Sequence, residues 1–292
     1  MYKVSMSTPK MFKINASEVA AIIGKNPYKK KEEALLDCWN RNTNGLPSQE
    51  ILRAQRVCAK NKEVNKAYSQ MIDDIKKTEN NDDVIKKKAE FSAKIQKEVV
   101  GKVEDEIIKT KESYEQDIQY ARTRSDKAKI EEMYKEEMKK LDKKKEQAVE
   151  DAKNVEKDAM SKFNCNYGTR KEDVVASSYE EITGMNVEKP NKRYTWEPHP
   201  GFVVVGKFDG FAEDGTLVEI KNRVRRLFGV VKEYENVQVH VYMKMCHATT
   251  AHLVEKFKDQ VMVHQVLYDD DLMCDIESGI DDAIKNYFIP KM

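Results

Sequence analysis

An α/β fold is predicted, with a small mixed sheet flanked by helices and an α-helical coiled-coil hairpin inserted into it. Three observations predict it. Residues 57–162 hold one glycine, Gly101, no proline, and a great excess of Lys, Glu and Asp. Apolar residues recur there at Phe91, Ile95, Val99, Val103 and Ile107, then Tyr114 and Ile118. They resume at Tyr134, Met138, Leu141, Ala148, Ala152, Val155 and Ala159 with spacings of three and four, Lys145 filling one seam position. That is the rhythm of a coiled coil. The flanking parts, 1–56 and 163–292, instead mix short helical patterns with strand patterns punctuated by glycine.

In chain order, Asn15-Ala-Ser17-Glu18 precedes the apolar run Val19 to Ile23, which stops at Gly24. Asn15 with Glu18 fits a capping box and Gly24 a C-terminal stop. Asn26-Pro27-Tyr28 is a turn, and Lys31 to Trp39 a second helix. The hairpin arms are predicted over 84–122 and 126–162, with Ser125 as a cap, each about 55 Å long at ~1.5 Å per residue. Lys171 to Thr183 is a separate helix closed by Gly184. Phe202 to Phe211 and Thr216 to Lys221 are strands joined by a two-residue turn at Asp214-Gly215. Tyr234 to Cys246 reads as strand or helix. Two closing strands, Thr250 to Phe257 and Val261 to Tyr268, precede an amphipathic helix from Asp270 to Phe288. The hairpin is either a solvated spacer or an arm that docks a partner or tracks DNA.

Composition narrows the function. The 292-residue chain is 35% charged, yet its net charge is only +1, so any nucleic-acid affinity must come from local patches. Five cysteines without a CxxC pair argue against a disulfide framework or a zinc site and point to a reducing, intracellular compartment. Host cytoplasm, a viral factory and the nucleus all qualify. Met1 to Pro9 has no apolar run of the signal-peptide kind, so secretion is not expected. No segment approaches the roughly 18 apolar residues of a membrane span. The five histidines are scattered, and Trp39 and Trp196 read as packing residues.

The chemistry concentrates in Gly206 to Lys221. With a two-residue turn, Glu213 pairs with Thr216, and Asp209 lies opposite Ile220, beside Glu219. Side chains alternate along a strand, so Glu219 and Lys221 share a face. Two carboxylates and an ammonium are thus gathered within a few ångströms. Such oxygen ligands suit Mg²⁺, with Mn²⁺ as the alternative, and Lys221 is suited to orient or deprotonate water or to neutralise phosphate charge. On spacing alone, a solvated acid beside an ordinary Glu-x-Lys ion pair explains the same residues.

This constellation resembles the PD-(D/E)XK nuclease core, with Phe208-Asp209 in place of the usual Pro-Asp. More specifically, the chain resembles the YqaJ-like viral recombinase and lambda-exonuclease branch over roughly 10–56 and 163–288. Besides Asp209, Glu219 and Lys221, the resemblance rests on Asn15-Ala-Ser17, on Tyr167-Gly168-Thr-Arg-Lys-Glu172, on His199-Pro-Gly-Phe before the aspartate, and on Tyr234-Glu-Asn-Val-Gln238-Val-His-Val-Tyr242-Met. It implies a restriction-endonuclease-like core and a helix at 234–246. It implies metal ligation by Glu172 (Asp173 if the register shifts by one), Asp209, Glu219 and the Ile220 carbonyl, with Gln238 behind. Ser17 and Lys10 would hold a 5′-phosphate, the lysine standing where the branch carries arginine. Arg223, Arg225 and Arg226, with Lys29, Lys30 and Lys31, are candidate phosphate contacts, the alternative being an ordinary basic surface.

The implied activity is a Mg²⁺-dependent 5′→3′ exonuclease on double-stranded DNA ends, in viral or phage recombination, repair or replication. Homo-oligomerisation and a single-strand annealing or replication partner come with the resemblance, and no membrane does. The competing readings are a structure-specific endonuclease of the RecB-like type and a non-catalytic DNA-binding or coiled-coil interaction protein. Residues 57–162 have no counterpart in the branch.

Overall fold

The computed structural model of the protein describes residues 11–74, 77, 78 and 80–292. Lys10 lies outside them. The described residues fall into two units, one comprising those up to Ser48 together with 168–292, the other those within 49–167.

The first unit is the α/β core. Strand β1 (Phe12–Asn15) runs into a 3₁₀ turn (Ala16–Glu18), then α1 (Val19–Ile22) and α2 (Lys31–Thr43). A three-stranded sheet orders β1, β4 (Phe202–Gly206) and β3 (Tyr194–His199), with β1 and β4 parallel. A five-stranded sheet orders β2 (Val187–Glu188), β5 (Gly210–Ala212), β6 (Leu217–Asn222), β7 (Thr250–Phe257) and β8 (Gln260–Leu267). Only β6 and β7 pair in parallel there, and the crossover between them carries α8 (Glu233–Cys246). Helix α9 (Asp270–Ala283) follows, ending in a π turn at Ile284–Phe288.

Alternation along β6 sorts its side chains. Leu217 is buried in the main core with Val237, Val241 and Leu253. Val218 and Ile220 are buried in a second core with Val175, Tyr179 and Val254. Glu219 and Lys221 therefore share the face of Leu217, toward α8.

The second unit is helical: α3 (Gln49–Lys60), α4 (Lys62–Asp74), α5 (Asn81–Gln96), a π turn at Lys97–Gly101, α6 (Lys102–Tyr120), and the N-terminal part of α7 (Arg124–Thr183). Phe91, Ile95, Val103, Leu141, Ala148, Ala152, Val155 and Ala159 are buried, as the seam rhythm requires. Lys145 forms an ion pair with Glu104 at 2.7 Å. The extra residue of the π turn rotates the seam, and Val100 is buried where Val99 was expected.

Four expectations need correction. The hairpin arms run over 81–120 and 124–183, so the helix predicted at 171–183 is the end of one 60-residue helix. Gly168 did not break it, because a lone glycine in a helix costs only about 1 kcal/mol. The strand predicted at 202–211 is two strands in different sheets. The capping box does not form: Asn15 caps nothing with its side chain, and Glu18 is taken by Arg41 in two bonds of 2.5 and 2.6 Å. The turn after β5 has three residues. Gly215 donates its N–H to the Ala212 carbonyl at 2.9 Å and holds φ at 85°, and Ala212 donates to Thr216 at 2.8 Å. That is a type I turn closed by a glycine bulge, so Gly210 faces Val218 and the pairing is one residue off the predicted register.

The break between β4 and β5 begins at Gly206. A Cβ there would lie 2.6 Å from Tyr242 Cε1 and 2.9 Å from Ala16 Cβ. Gly206→Ala is expected to destabilise the protein by about 1–3 kcal/mol in urea denaturation.

Candidate active site

Asp209, just before β5, reaches across to β6. Its Oδ2 accepts the Ile220 N–H at 2.6 Å, which leaves Oδ1 outside that bond. Glu219 is buried on β6. Its Oε1 accepts from Lys221 Nζ at 2.7 Å and from Gln238 Nε2 at 3.2 Å. Lys221 also donates to Gln238 Oε1 at 3.2 Å, and Gln238 donates to the Tyr242 hydroxyl at 3.1 Å. Gln238 and Tyr242 stand one turn apart on α8, so one helix face braces the acid–lysine pair.

Glu219 Oε2 is a buried oxygen with no hydrogen-bond partner among the described residues. Leaving such an acceptor unsatisfied is costly. Burial pushes the Glu219 carboxyl up to about 7, against the pull of Lys221 and with reinforcement from Asp209 and Glu172. Burial also raises Asp209, opposed by the Ile220 amide and Lys221. Glu172 is raised by burial and by the Asp209 charge. Lys221 is penalised by burial, but Glu219 and Asp209 hold it above its ordinary value and therefore charged.

The Asp209 charge, acting on both glutamates, brings Glu172, Asp209 and Glu219 into one electrostatic group. Asp173, the alternative ligand, is exposed and paired with Lys189. No three His, Cys, Asp or Glu side chains among the described residues are close enough to form a ready-made metal cage. The chemistry of the donors still fits a hard divalent cation. Glu219 presents an orphaned oxygen, Asp209 keeps one oxygen outside its amide bond, and the Asp209 charge raises the proton affinity of both Glu172 and Glu219.

The other sequence candidates fare unevenly. Ile220 is seen here through its amide, which serves Asp209. Ser17 is exposed, but it sits on a 3₁₀ turn before a four-residue helix, so the helix-dipole argument for phosphate binding there loses its force. Arg225 and Arg226 are exposed on the loop after β6. Arg223 is corrected: its side chain is only 11% exposed and is paired with Glu235 and Glu255 at 2.5–2.9 Å, so it is a structural cation and not a surface phosphate contact. Lys29 and Lys31 are paired with Asp37 and Asp282. Trp39 and Trp196 pack against the core.

Sequence reasoning missed three participants. Lys189, beyond β2, is bonded to Asp173 and feels Glu172 and Asp209. Glu235 and Glu255 are almost wholly buried. The available signal was an acid inside the apolar strand Thr250 to Phe257.

Residues 122–252 match the family model of the YqaJ-like viral recombinase domain. No curated protein matches the chain. Among solved structures, the chain is similar to an alkaline exonuclease from Laribacter hongkongensis (18% identity, 45% of this chain and 79% of that one, TM-score 0.36). It is also similar to a phage-related exonuclease from Haemophilus somnus 129PT (13% identity, 44% and 73%, TM-score 0.37). No helix among the described residues is long and apolar enough to cross a membrane.

Proposed function

From the match of residues 122–252 to the YqaJ-like viral recombinase domain and the geometry of the site, we propose that the chain is a metal-dependent deoxyribonuclease that digests double-stranded DNA from its ends. The observation that carries the reading is Glu219, with one oxygen bonded to Lys221 and the other buried without a partner. Glu172, Asp209 and Glu219 are the residues that would hold Mg²⁺ or Mn²⁺. When bound, the cation supplies Lewis-acid charge at the scissile phosphate. Lys221 is charged and fixed by Glu219 and Gln238, and it orients the attacking water or offsets charge on the phosphate. Gln238 keeps Lys221 and Glu219 aligned, and Tyr242 accepts its spare N–H. Arg225 and Arg226 contribute phosphate contacts. The 5′→3′ direction rests on the resemblance at Ser17 and Lys10.

The test compares 5′-phosphorylated linear duplex with closed circular DNA, in Mg²⁺, Mn²⁺ or EDTA. Linear DNA is expected to shorten only with metal, and circles to survive. A 5′ label is expected to be released before a 3′ label. Cutting of circles would favour an endonuclease, and no cleavage of either substrate would leave a DNA-binding or coiled-coil interaction protein.

A further inference from the structure

Arg223 and Glu255 enclose a short basic loop. Arg223 follows β6 directly and continues its ladder, its N–H reaching the Lys256 carbonyl at 2.7 Å. Its Nε meets Glu255 Oε1 at 2.6 Å. The same carboxylate then accepts the backbone N–H groups of Phe228 at 3.2 Å and Gly229 at 3.1 Å. His264 Nε2 lies 3.1 Å from its Oε2. Gly229 holds φ at 72°, a value that L side chains avoid. The Phe228 ring lies 4.0 Å from the Arg223 guanidinium carbon. Both feet of the segment 224–227 are thus fastened to one fully buried carboxylate, and the span between them presents Arg225 and Arg226 to solvent.

Glu235 completes the anchor. It takes Arg223 through two bonds of 2.7 and 2.9 Å, while Tyr234 donates to it at 3.2 Å. Glu235 and Gln238 are three residues apart on α8, so the helix that braces Lys221 also braces the loop. A buried carboxylate that accepts from two consecutive amides and a guanidinium fixes the loop far more tightly than an ordinary turn. Fixing two arginines in advance spares the ordering cost of binding a phosphate backbone.

We propose that Glu255 is a positioning residue: through Arg223 and the Phe228 and Gly229 amides it holds Arg225 and Arg226 as a preformed clamp for the phosphodiester backbone beside Lys221. This rests on the nuclease reading for its substrate, but not on cleavage for its test.

The experiment measures binding of a labelled, 5′-phosphorylated duplex in EDTA across a range of salt, alongside kcat and KM in Mg²⁺. Arg225→Ala with Arg226→Ala is expected to weaken binding and to lower the salt slope by about two. Glu255→Ala is expected to reproduce the weaker binding and raise KM, with kcat within about twofold of wild type because the clamp acts on binding. Glu255→Gln keeps one acceptor for the two amides and is expected to lie between, which also serves if the alanine variant does not fold. Unchanged binding by the double arginine variant, unchanged binding by Glu255→Gln, or a loss in kcat with KM preserved would each overturn the clamp. Binding that depends on Arg225 and Arg226 without any cleavage in Mg²⁺ or Mn²⁺ would sustain it and overturn the nuclease reading instead.

Discussion

Asp209→Asn is expected to slow digestion of linear duplex by about 10²- to 10⁴-fold while leaving the melting temperature within a few degrees of wild type. The asparagine oxygen can still accept the Ile220 N–H that Asp209 Oδ2 accepts at 2.6 Å, so the join between β5 and β6 survives. What is lost is one of the three negative charges. Lys221→Ala should lower the rate comparably, but it is a less clean variant. It leaves the buried Glu219 without its ammonium, and breaking a buried pair costs about 3–5 kcal/mol. Rates and melting curves of both proteins, measured side by side, separate chemistry from folding. Full activity in Asp209→Asn would remove this residue from the metal site.

The second large effect is on stability. An acid whose folded pKa is raised favours folding most when it is protonated. Glu219 sits at about 7, above its ordinary 4.5, and Asp209 and Glu172 are raised as well. Their contribution is therefore greatest below the ordinary carboxylate range and is lost as pH rises through each raised value, which for Glu219 is about 7. Glu255 is lowered and acts with the opposite sign, but its window lies below 4.5. Metal-free protein should accordingly lose stability between pH 5 and pH 8, by up to about 3 kcal/mol for Glu219 alone. Guanidinium titrations at several pH values in EDTA measure it. In Glu219→Gln the slope should flatten, since the amide does not titrate but can still accept from Lys221 and Gln238. Added Mg²⁺ or Mn²⁺ should restore stability above pH 7, because binding to the folded state alone stabilises it. A flat wild-type curve would show that burial does not raise the Glu219 carboxyl.

Much of this was legible in the residues. The seam at Leu141, Ala148, Ala152, Val155 and Ala159 follows from periodicity, because a charged helix has only one apolar stripe to bury. The Glu219–Lys221 pair follows from strand alternation, since β6 needs Leu217 inward on the same face. Other features depended on competition that sequence patterns do not express. Glu18 fits a capping box until Arg41, 23 residues away in sequence, takes both its oxygens. Arg223 looks like a surface cation until two buried acids from α8 and β7 converge on it. Tyr234 to Cys246 alternates like a strand, yet it is the crossover that a parallel β6–β7 pair requires. Residue type gave the chemistry in each case, and tertiary partners decided its use.

The three-residue turn at Glu213, Asp214 and Gly215 has a consequence for what this chain can tolerate. It sets the phase between the two strands: Gly210 faces Val218, and one further step brings Asp209 level with Glu219. Pairing Glu213 with Thr216 around a two-residue turn would instead bring Asp209 level with Ile220, whose side chain belongs to the opposite face of the sheet. The turn thus behaves as a vernier. A change of residue type at Glu213 is mild and one at Gly215, with φ at 85°, is not, whereas a slip of one residue in the pairing slides one acid past the other and dismantles the site without touching any of its members.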